Sequence, residues 1–413
     1  MLTEKIHLDI NEIIANEEIT IYFQPIVSLV KKSVIGMEAL CRGIYRGELV
    51  NPNVLFNLAA SQGVILDLDR LCRRKALEKF SHNHNKELML FLNFDTSIID
   101  KGVVGSGQLI NTVKEFGLQP DRIIIEIIES KVRDVKSLSR FIETYRNHGF
   151  MIALDDVGAG YSNLNRIVTT KPDILKIDRS IIDHIDEDFY KQEVLRSMVK
   201  LSRKVGCLVV AEGIKREEEA IISLDIGVDM LQGFFFAMPQ TLDDFNAGLP
   251  WMTETQLDRT FKEYMMNKTS ARKSRNRELD GILTSILTEL ANMHYSEVED
   301  IIPAIINRFD SLECIYILDE YGFQISETVL SMTNEAISNN AIFQPAPKGT
   351  DHSLKDYYYQ LLFLCLEKYH TEPYVSLASG NLCITISAWM RNSDGIRRVL
   401  CLDIRTSSKL LQY

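Results

Sequence analysis

The sequence predicts an α/β fold: a closed (β/α)8 barrel of the TIM type carrying one reversed strand, followed by a smaller α+β domain. Three observations predict it. Short apolar runs alternate with amphipathic stretches from residue 33 to about 248, the pattern of parallel strands covered by helices. One further strand, over 19–29, is separated from the next by "VKK" alone. That gap is too short for a parallel crossover, so the pair must form a hairpin. After Pro250 the texture changes, first to a helical stretch with few breakers, then to strands joined by tight turns.

The apolar runs follow in order: "SVIGMEAL" (33–40), "ELMLFLN" (87–93), "RIIIEI" (122–127), "FMIALD" (150–155), "PDILKID" (172–178), "CLVVAE" (207–212) and "VDMLQG" (228–233). Between them, 135–149 and 188–206 have helical spacing, and each ends on a glycine suited to a helix stop. With the hairpin strand this makes eight strands, the number that closes a TIM-type barrel. An open doubly wound sheet is the alternative, but "GVVGSG" (102–107) lacks the tight strand-to-helix turn of a phosphate-binding fingerprint and reads as a loop. Over 253–295, Leu279, Leu283, Ile286, Leu290 and Met293 recur at helical spacing. Two readings of that stripe stand open: packing within the chain, or a connecting helix of a homodimer. Residues 312–328 read as strand, turn, strand, and 374–404 as three strands joined by "SGN" and "NSDG" turns. The aromatic cluster over 356–370 has helical spacing and reads as core. The expected organisation is a barrel over 1–250, a connecting helix over 251–299, and an α+β domain over 300–413.

Composition sets the outer bounds. A chain of 413 residues with 46% hydrophobic and 25% charged residues is that of a globular protein of two or three domains. A net charge of -11 argues against a sequence-independent grip on a nucleic-acid polymer. The N-terminus lacks the basic start of a signal peptide, and no apolar run approaches the ~18 residues of a spanning helix, so no membrane insertion is expected. The seven cysteines form no CxxC pair and sit mostly in apolar runs, as small buried reduced thiols. A cytoplasmic location is expected.

The strand ends carry the chemistry. In chain order they present Gln24 on the hairpin strand, then Glu38, Leu40 and Arg42, then Asn93, Glu126 with Glu129 beyond it, Asp155 and Asp156, Lys176 and Asp178, Glu212, and Gln232. In a barrel these ends converge on one face. Carboxylates meeting there would repel unless cations joined them. An oxygen-only donor set suits Mg2+ or Mn2+, and adjacent aspartates can serve two ions at once. Lys176 would hold an attacking water or neutralise phosphoryl charge, and Glu212 would orient that water or take its proton.

"MEALCR" (37–42) resembles the signature of the EAL-domain family, whose members act on cyclic di-GMP. "YFQPIV", "FLNFDTS", "EIIES", "LDDVGAGYSNL", "LKIDRSI", "AEGI" and "LQGFFFAMP" follow in the family's order across 20–240. The resemblance implies hydrolysis of one phosphodiester of cyclic di-GMP to linear pGpG. It implies that Glu38, Asn93, Glu126 and Asp155 ligate one metal, with Asp155 and Asp156 reaching a second. Lys176 and Glu212 would serve the water. Gln24, Leu40, Arg42, Asp178 and Gln232 would contact the nucleotide, and Glu129 would brace the loop after strand four. Ca2+ would fill the site without supporting catalysis. The sequence departs from the family at Ile128, Val157, Ala159 and Lys215, where threonine, phenylalanine, threonine and glutamate are usual. The first three touch that loop or its support, and Lys215 is expected to bring positive charge near Glu212. A second reading follows, a receptor that binds the dinucleotide with little turnover. No cyclase-like GG(D/E)EF stretch is present. The C-terminal part is similar to PAS-like or Cache-like sensory modules, with no ligand implied.

Overall fold

The computed structural model describes residues 8–83, 85–95, 99, 107–128, 134–159, 165–247, 256–331 and 342–406. They divide into two compact units, 1–265 and 266–413.

In the first unit, helix α1 (Ile10–Ala15) is capped by the Asp9 carboxylate and leads into β1 (Ile19–Ser28) and β2 (Ser33–Tyr45). These two strands pair as an antiparallel hairpin in which Gln24 faces Glu38. β4 (Met89–Phe94), β5 (Ile123–Ile128), β6 (Met151–Val157), β7 (Ile174–Ile177), β8 (Leu208–Ala211) and β9 (Met230–Leu231) continue the ring in order, each parallel to the strand before it. β9 closes on β1, again antiparallel. β1 is therefore the reversed strand of a closed eight-stranded ring, and β3 (Glu48–Val50) hangs on β2 outside it. The crossover-length argument from "VKK" accounts for this topology. Helices lie between the strands, among them α2 (Pro52–Ser61), α3 (Ile65–Ser81), α4 (Gln108–Glu115), α5 (Val135–Asn147), α6 (Asn165–Thr170), α7 (Arg179–Ile182), α8 (Phe189–Val205), α9 (Glu217–Ile226) and α10 (Leu242–Asn246). α8 starts on the Asp188 carboxylate, which accepts from Tyr190 N and Lys191 N, and stops at Gly206 with φ +77°.

The barrel interior is plugged by one apolar residue from each of seven strands: Ile26, Phe91, Ile124, Ala153, Ile174, Val210 and Met230. The eighth strand offers Gly36, where a Cβ would stand 2.8 Å from both Phe91 Cε2 and Met89 O. Phe91 fills the space that a side chain at 36 would take. Alternate residues of a strand face the same side, so the next inward position on each parallel strand is two residues on. On the reversed strand it is two residues back. Those positions are Gln24, Glu38, Asn93, Glu126, Asp155, Lys176, Glu212 and Gln232. The ladders extend far enough to hold the last two, through Glu212 N to Ile177 O (3.1 Å) and Gln232 N to Ala211 O (2.9 Å).

The boundary between the units falls within α11 (Gln256–Ala291). In the second unit, α12 (Tyr295–Ile306) follows. An antiparallel sheet then forms from β10 (Leu312–Leu318), β11 (Val329–Leu330), β12 (Lys368–His370), β13 (Tyr374–Val375), β14 (Leu382–Arg391) and β15 (Arg397–Arg405), with α13 (Asp356–Phe363) inserted. Alternation gives the sheet two buried faces. Ile315 and Ile317 of β10 and Leu400, Leu402 and Ile404 of β15 pack on α12 and on Leu279, Leu283, Ile286 and Leu290. Cys314, Tyr316, Val399 and Cys401 pack on α13. Leu279, Leu283, Ile286 and Leu290 of the 279–293 stripe are thus buried within the chain, with Met293 packed against them.

Three expectations need correction. The return strand expected before residue 328 is reduced to a single bridge, Leu318 to Gln324, and the paired strand comes later, at β11. The Gln324 amide is tied to Ser326 O, Thr328 Oγ1 and Ala346 O, which pulls this segment out of the ladder. The helix expected over 356–370 stops at Phe363; Cys365, with φ +52°, turns the chain into β12. Cys365 is also exposed, whereas five of the seven thiols are buried, and none of the seven is paired. Among the described residues no helix is long and apolar enough to cross a membrane. The loop reading of 102–107 and the residues at 160–164 lie outside the described residues, apart from Gly107.

Candidate functional site

The inward residues at the C-terminal strand ends form one charged cluster around Lys176. Its ammonium lies 2.5 Å from Glu126 Oε1, 2.7 Å from Glu212 Oε1, and 3.3 Å from both Glu38 Oε2 and Asp155 Oδ1. Lys176 and Glu126 are fully enclosed, and Glu38 and Asp155 nearly so. Asn93 Nδ2 donates to Glu38 Oε1 (2.9 Å), and Gln232 Nε2 donates to Glu38 Oε2 (2.7 Å) and Gln24 Oε1 (3.3 Å). Gln24 Nε2 in turn donates to Ala237 O (3.1 Å).

One ammonium therefore faces four carboxylates. Burial alone would lower the Lys176 pKa, but Asp155, Glu126, Glu212 and Glu38 outweigh it and hold the ammonium well above the usual lysine range. Burial pushes Glu126 well up, helped by the charge of Glu38. Burial likewise raises Asp155, against the pull of Lys176. Glu212 is pushed up to about 8 by burial, then by Asp155 and Glu38, with Lys176 opposing. Glu38 goes the other way. Burial would raise it, but Lys176 and the amides of Gln232 and Asn93 keep its carboxyl below the usual range. A cluster with this excess of buried negative charge takes up protons or cations.

The donor set fits a hard divalent ion. It is made of carboxylate and amide oxygens, without a thiolate or imidazole. Glu126 Oε2, fully buried, has no hydrogen-bond partner among the described residues. At the rim, oxygens of Asp155, Asp156 and Glu212 lie within 4.8 Å of one another. The backbone explains how neighbours in sequence converge. Adjacent strand residues ordinarily point to opposite faces. Here the β6–β7 register shifts between Leu154 and Val157, and Asp156 adopts φ +54°. Asp tolerates that left-handed conformation better than most residues. Asp156 is exposed where Asp155 is buried.

A cavity of about 320 Å³ opens beside the cluster, lined by Glu38, Leu40, Arg42, Asn93, Asp155 and Asp156. Arg42 Nη1 donates to Cys41 O (2.8 Å). The structure thus brings together Gln24, Glu38, Asn93, Glu126, Asp155, Asp156, Lys176, Glu212 and Gln232, with Leu40 and Arg42 on the cavity wall. The Asp178 carboxylate accepts from Ser180 N (2.9 Å) and caps α7. Glu129 lies outside the described residues. Lys215 is not among the groups that shift Glu212 most. Its ammonium pairs with Asp183 Oδ1 at 2.7 Å. Val157 is buried and pairs with Ile177, and Ile128 lies opposite Asp155 in the β5–β6 ladder.

Sequence reasoning missed the far wall of the cavity. Asp69 and Arg73, both buried and ion-paired, line it with Cys41 and Cys72. Asp69 Oδ1 also accepts from Asp95 N (3.2 Å), and the Arg73 guanidinium lies 4.2 Å from the Phe94 ring centre. The available signal was an acid and a base four apart on the apolar side of α3, between Leu68, Cys72 and Ala76.

Comparison with known proteins agrees with the barrel fold. The family model described as EAL domain matches residues 7–239. The probable cyclic di-GMP phosphodiesterase PdeB of Escherichia coli is 28% identical over 242 residues, 58% of this chain. The chain spans 46% of the length of PdeB. The EAL-domain-containing protein YkuI of Bacillus subtilis is 25% identical over 391 residues, 92% of this chain and 94% of YkuI. The crystal structure of YkuI with cyclic di-GMP and calcium shares the fold, with a TM-score of 0.78 at 23% identity, covering 97% of this chain and all of that one. Klebsiella pneumoniae BlrP1 with manganese and cyclic di-GMP gives a TM-score of 0.51 at 27% identity, covering 55% of this chain and 56% of that one.

Proposed function

Since the chain belongs to the EAL-domain family, we propose that its barrel binds cyclic di-GMP and divalent metal at the C-terminal strand ends. We propose further that it hydrolyses one phosphodiester to give pGpG, under control of the C-terminal unit. The observation that carries this reading is the Lys176 ammonium held among four carboxylates beside a cavity lined by Leu40 and Arg42.

Glu38, Asn93, Glu126 and Asp155 would hold one Mg2+ or Mn2+, and Asp155 with Asp156 a second; such ions, when bound, activate water and stabilise the leaving oxygen. Ca2+ would occupy the same oxygens without the tight octahedral demand of Mg2+. Glu212, 2.7 Å from the Lys176 ammonium, is positioned to take the proton of the attacking water. Lys176 orients that carboxylate and offers charge to the phosphoryl oxygens. Arg42 and Leu40 would seat the nucleotide, with Gln24, Gln232 and Asp178 behind them and Glu129 bracing the loop. The acidic chain makes the dinucleotide, rather than a nucleic-acid polymer, the fitting ligand. The C-terminal unit would serve as a PAS-like or Cache-like sensory module. A homodimer and a cytoplasmic location complete the reading; the latter is supported by seven unpaired cysteines.

A second reading, a receptor with little turnover, is favoured by one observation. Val157 and Ile128, which replace the family's usual residues, flank the Asp155–Asp156 turn directly. Incubation with cyclic di-GMP and Mn2+, with pGpG followed by chromatography and binding titrated in Ca2+, separates the two. Turnover abolished by Glu38→Ala and Glu212→Ala supports the enzyme. Tight binding without pGpG supports the receptor. Neither binding nor turnover defeats both.

A further inference from the structure

The second unit encloses a cavity of about 520 Å³ on the α13 side of its sheet. At its wall lies Asp403 of β15, 2% exposed. Its carboxylate accepts from Thr385 Oγ1 (2.7 Å) and Ser376 Oγ (3.2 Å), and Tyr374 Oη stands 3.4 Å from both oxygens. Among the described residues no cation pairs with it. Hydroxyls soften the desolvation of a buried carboxylate but do not cancel its charge.

The remaining walls carry no compensating positive charge at depth. Tyr316 stacks on His352, with ring centres 5.5 Å apart at 29°. Burial holds the His352 imidazole down at about 4, so it carries no charge near pH 7. The amide nitrogen of Gln324 is spent on Ser326 O, Thr328 Oγ1 and Ala346 O, so its oxygen accepts from His352 Nε2 (3.0 Å), and His352 Nδ1 lies 2.5 Å from Tyr357 Oη. Among the described residues lining the cavity, the acidic side chains Asp356, Glu372 and Asp403 outnumber the one basic side chain, Lys355. Burial raises the Asp403 carboxyl, so without a cation it tends to hold a proton; tyrosine rings beside such a group are the chemistry that receives an organic cation in the proton's place, through charge pairing and cation–π contact.

We infer that this cavity binds a small organic cation, a protonated amine or quaternary ammonium, with Asp403 as its counter-charge. The site gives the C-terminal unit a ligand class of its own, and it stands whether or not the barrel turns over cyclic di-GMP.

The test uses the full-length protein and calorimetry with putrescine, tyramine and tetramethylammonium. Butanediol, 4-ethylphenol and tert-butanol serve as neutral mimics. Saturable binding of at least one cation, without binding of its mimic, is expected. Asp403→Asn is expected to weaken it by roughly tenfold or more, the factor given by about 1.4 kcal/mol. Because Asp403→Asn is a core change, Glu372→Lys provides a second arm. Glu372 is exposed at the cavity's edge, and reversing its charge is expected to weaken cation binding several-fold with the thermal midpoint unchanged. Equal binding of a cation and its mimic, no saturable binding of any cation, or cation affinity indifferent to Glu372→Lys would each overturn the inference.

Discussion

The Lys176 ammonium lies 2.5 Å from Glu126 Oε1 in a place where neither group reaches solvent. This pair is the floor of a cluster whose charges do not balance, since three further carboxylates crowd the same ammonium. The protein alone cannot satisfy it, and each of the first two predictions follows from that imbalance.

Removing the ammonium exposes the imbalance directly. Lys176→Ala leaves four carboxylates with one another, and breaking a buried pair by deleting one partner costs about 3–5 kcal/mol. The chelated variant should unfold at markedly lower denaturant than the chelated parent. Mn2+ should close most of the gap, because it supplies the charge the lysine did. Thermal melts with EDTA and with Mn2+ decide the matter; a gap of equal size in both conditions would contradict the assignment of these oxygens to metal.

The pH dependence of the chelated protein has a definite sign. Glu212 is pushed from 4.5 up to about 8, so between those values the folded protein binds a proton that the unfolded chain has released. Stability attributable to it is fully present below about 4.5 and lost as pH rises through about 8. Glu126 and Asp155, also raised, act in the same direction. Metal must displace those protons, so its affinity should rise with pH. Calorimetric titration of Mn2+ in two buffers of different ionisation enthalpy should reveal proton release. Identical heats in both buffers would contradict the raised carboxyls.

Much of this was legible from a period of two. An apolar layer at Phe91, Ile124, Ala153, Ile174 and Val210 puts Asn93, Glu126, Asp155, Lys176 and Glu212 on the same inner face. The short "VKK" link reverses the first strand and brings Gln24 opposite Glu38. What escaped was set by tertiary contacts that have no local signature. Asp69 and Arg73 look like solvated helix residues until Asp95 N and the Phe94 ring meet them across the barrel wall. The end of α13 at Phe363 has neither glycine nor proline to announce it, and depends on Cys365 taking φ +52°. The fate of Lys215 was set by Asp183, thirty-two residues away in sequence.

The Asp155–Asp156 turn separates a carboxylate's role from its backbone's. Asp156 sits at φ +54°, which glycine adopts freely. Asp156→Gly should therefore leave stability within about 1 kcal/mol of the parent. On the enzyme reading it should also lower pGpG formation by about 100-fold or more, because the rim loses one of its three converging carboxylates. Asp156→Asn keeps the backbone preference and a single oxygen donor, and should fall between. Equal turnover in parent and Asp156→Gly would remove the second metal from the proposal.

Lys215 gives the last prediction, in which a departure from the family should prove silent. Its ammonium is half exposed and bonded to Asp183, and Glu212 owes its raised pKa to burial and to Asp155 and Glu38. Lys215→Glu restores the residue usual in the family but sets it against Asp183. An exposed pair of this kind contributes about 0–1 kcal/mol, so the thermal midpoint should drop only slightly. The pH profile of cyclic di-GMP hydrolysis should not move. A shift of the alkaline limb in Lys215→Glu, with Asp183→Asn as the control for the lost pair, would show that Lys215 reaches Glu212 in the working protein after all. An unmoved profile would leave the neighbours of Asp155 and Asp156, rather than position 215, to explain any shortfall in turnover.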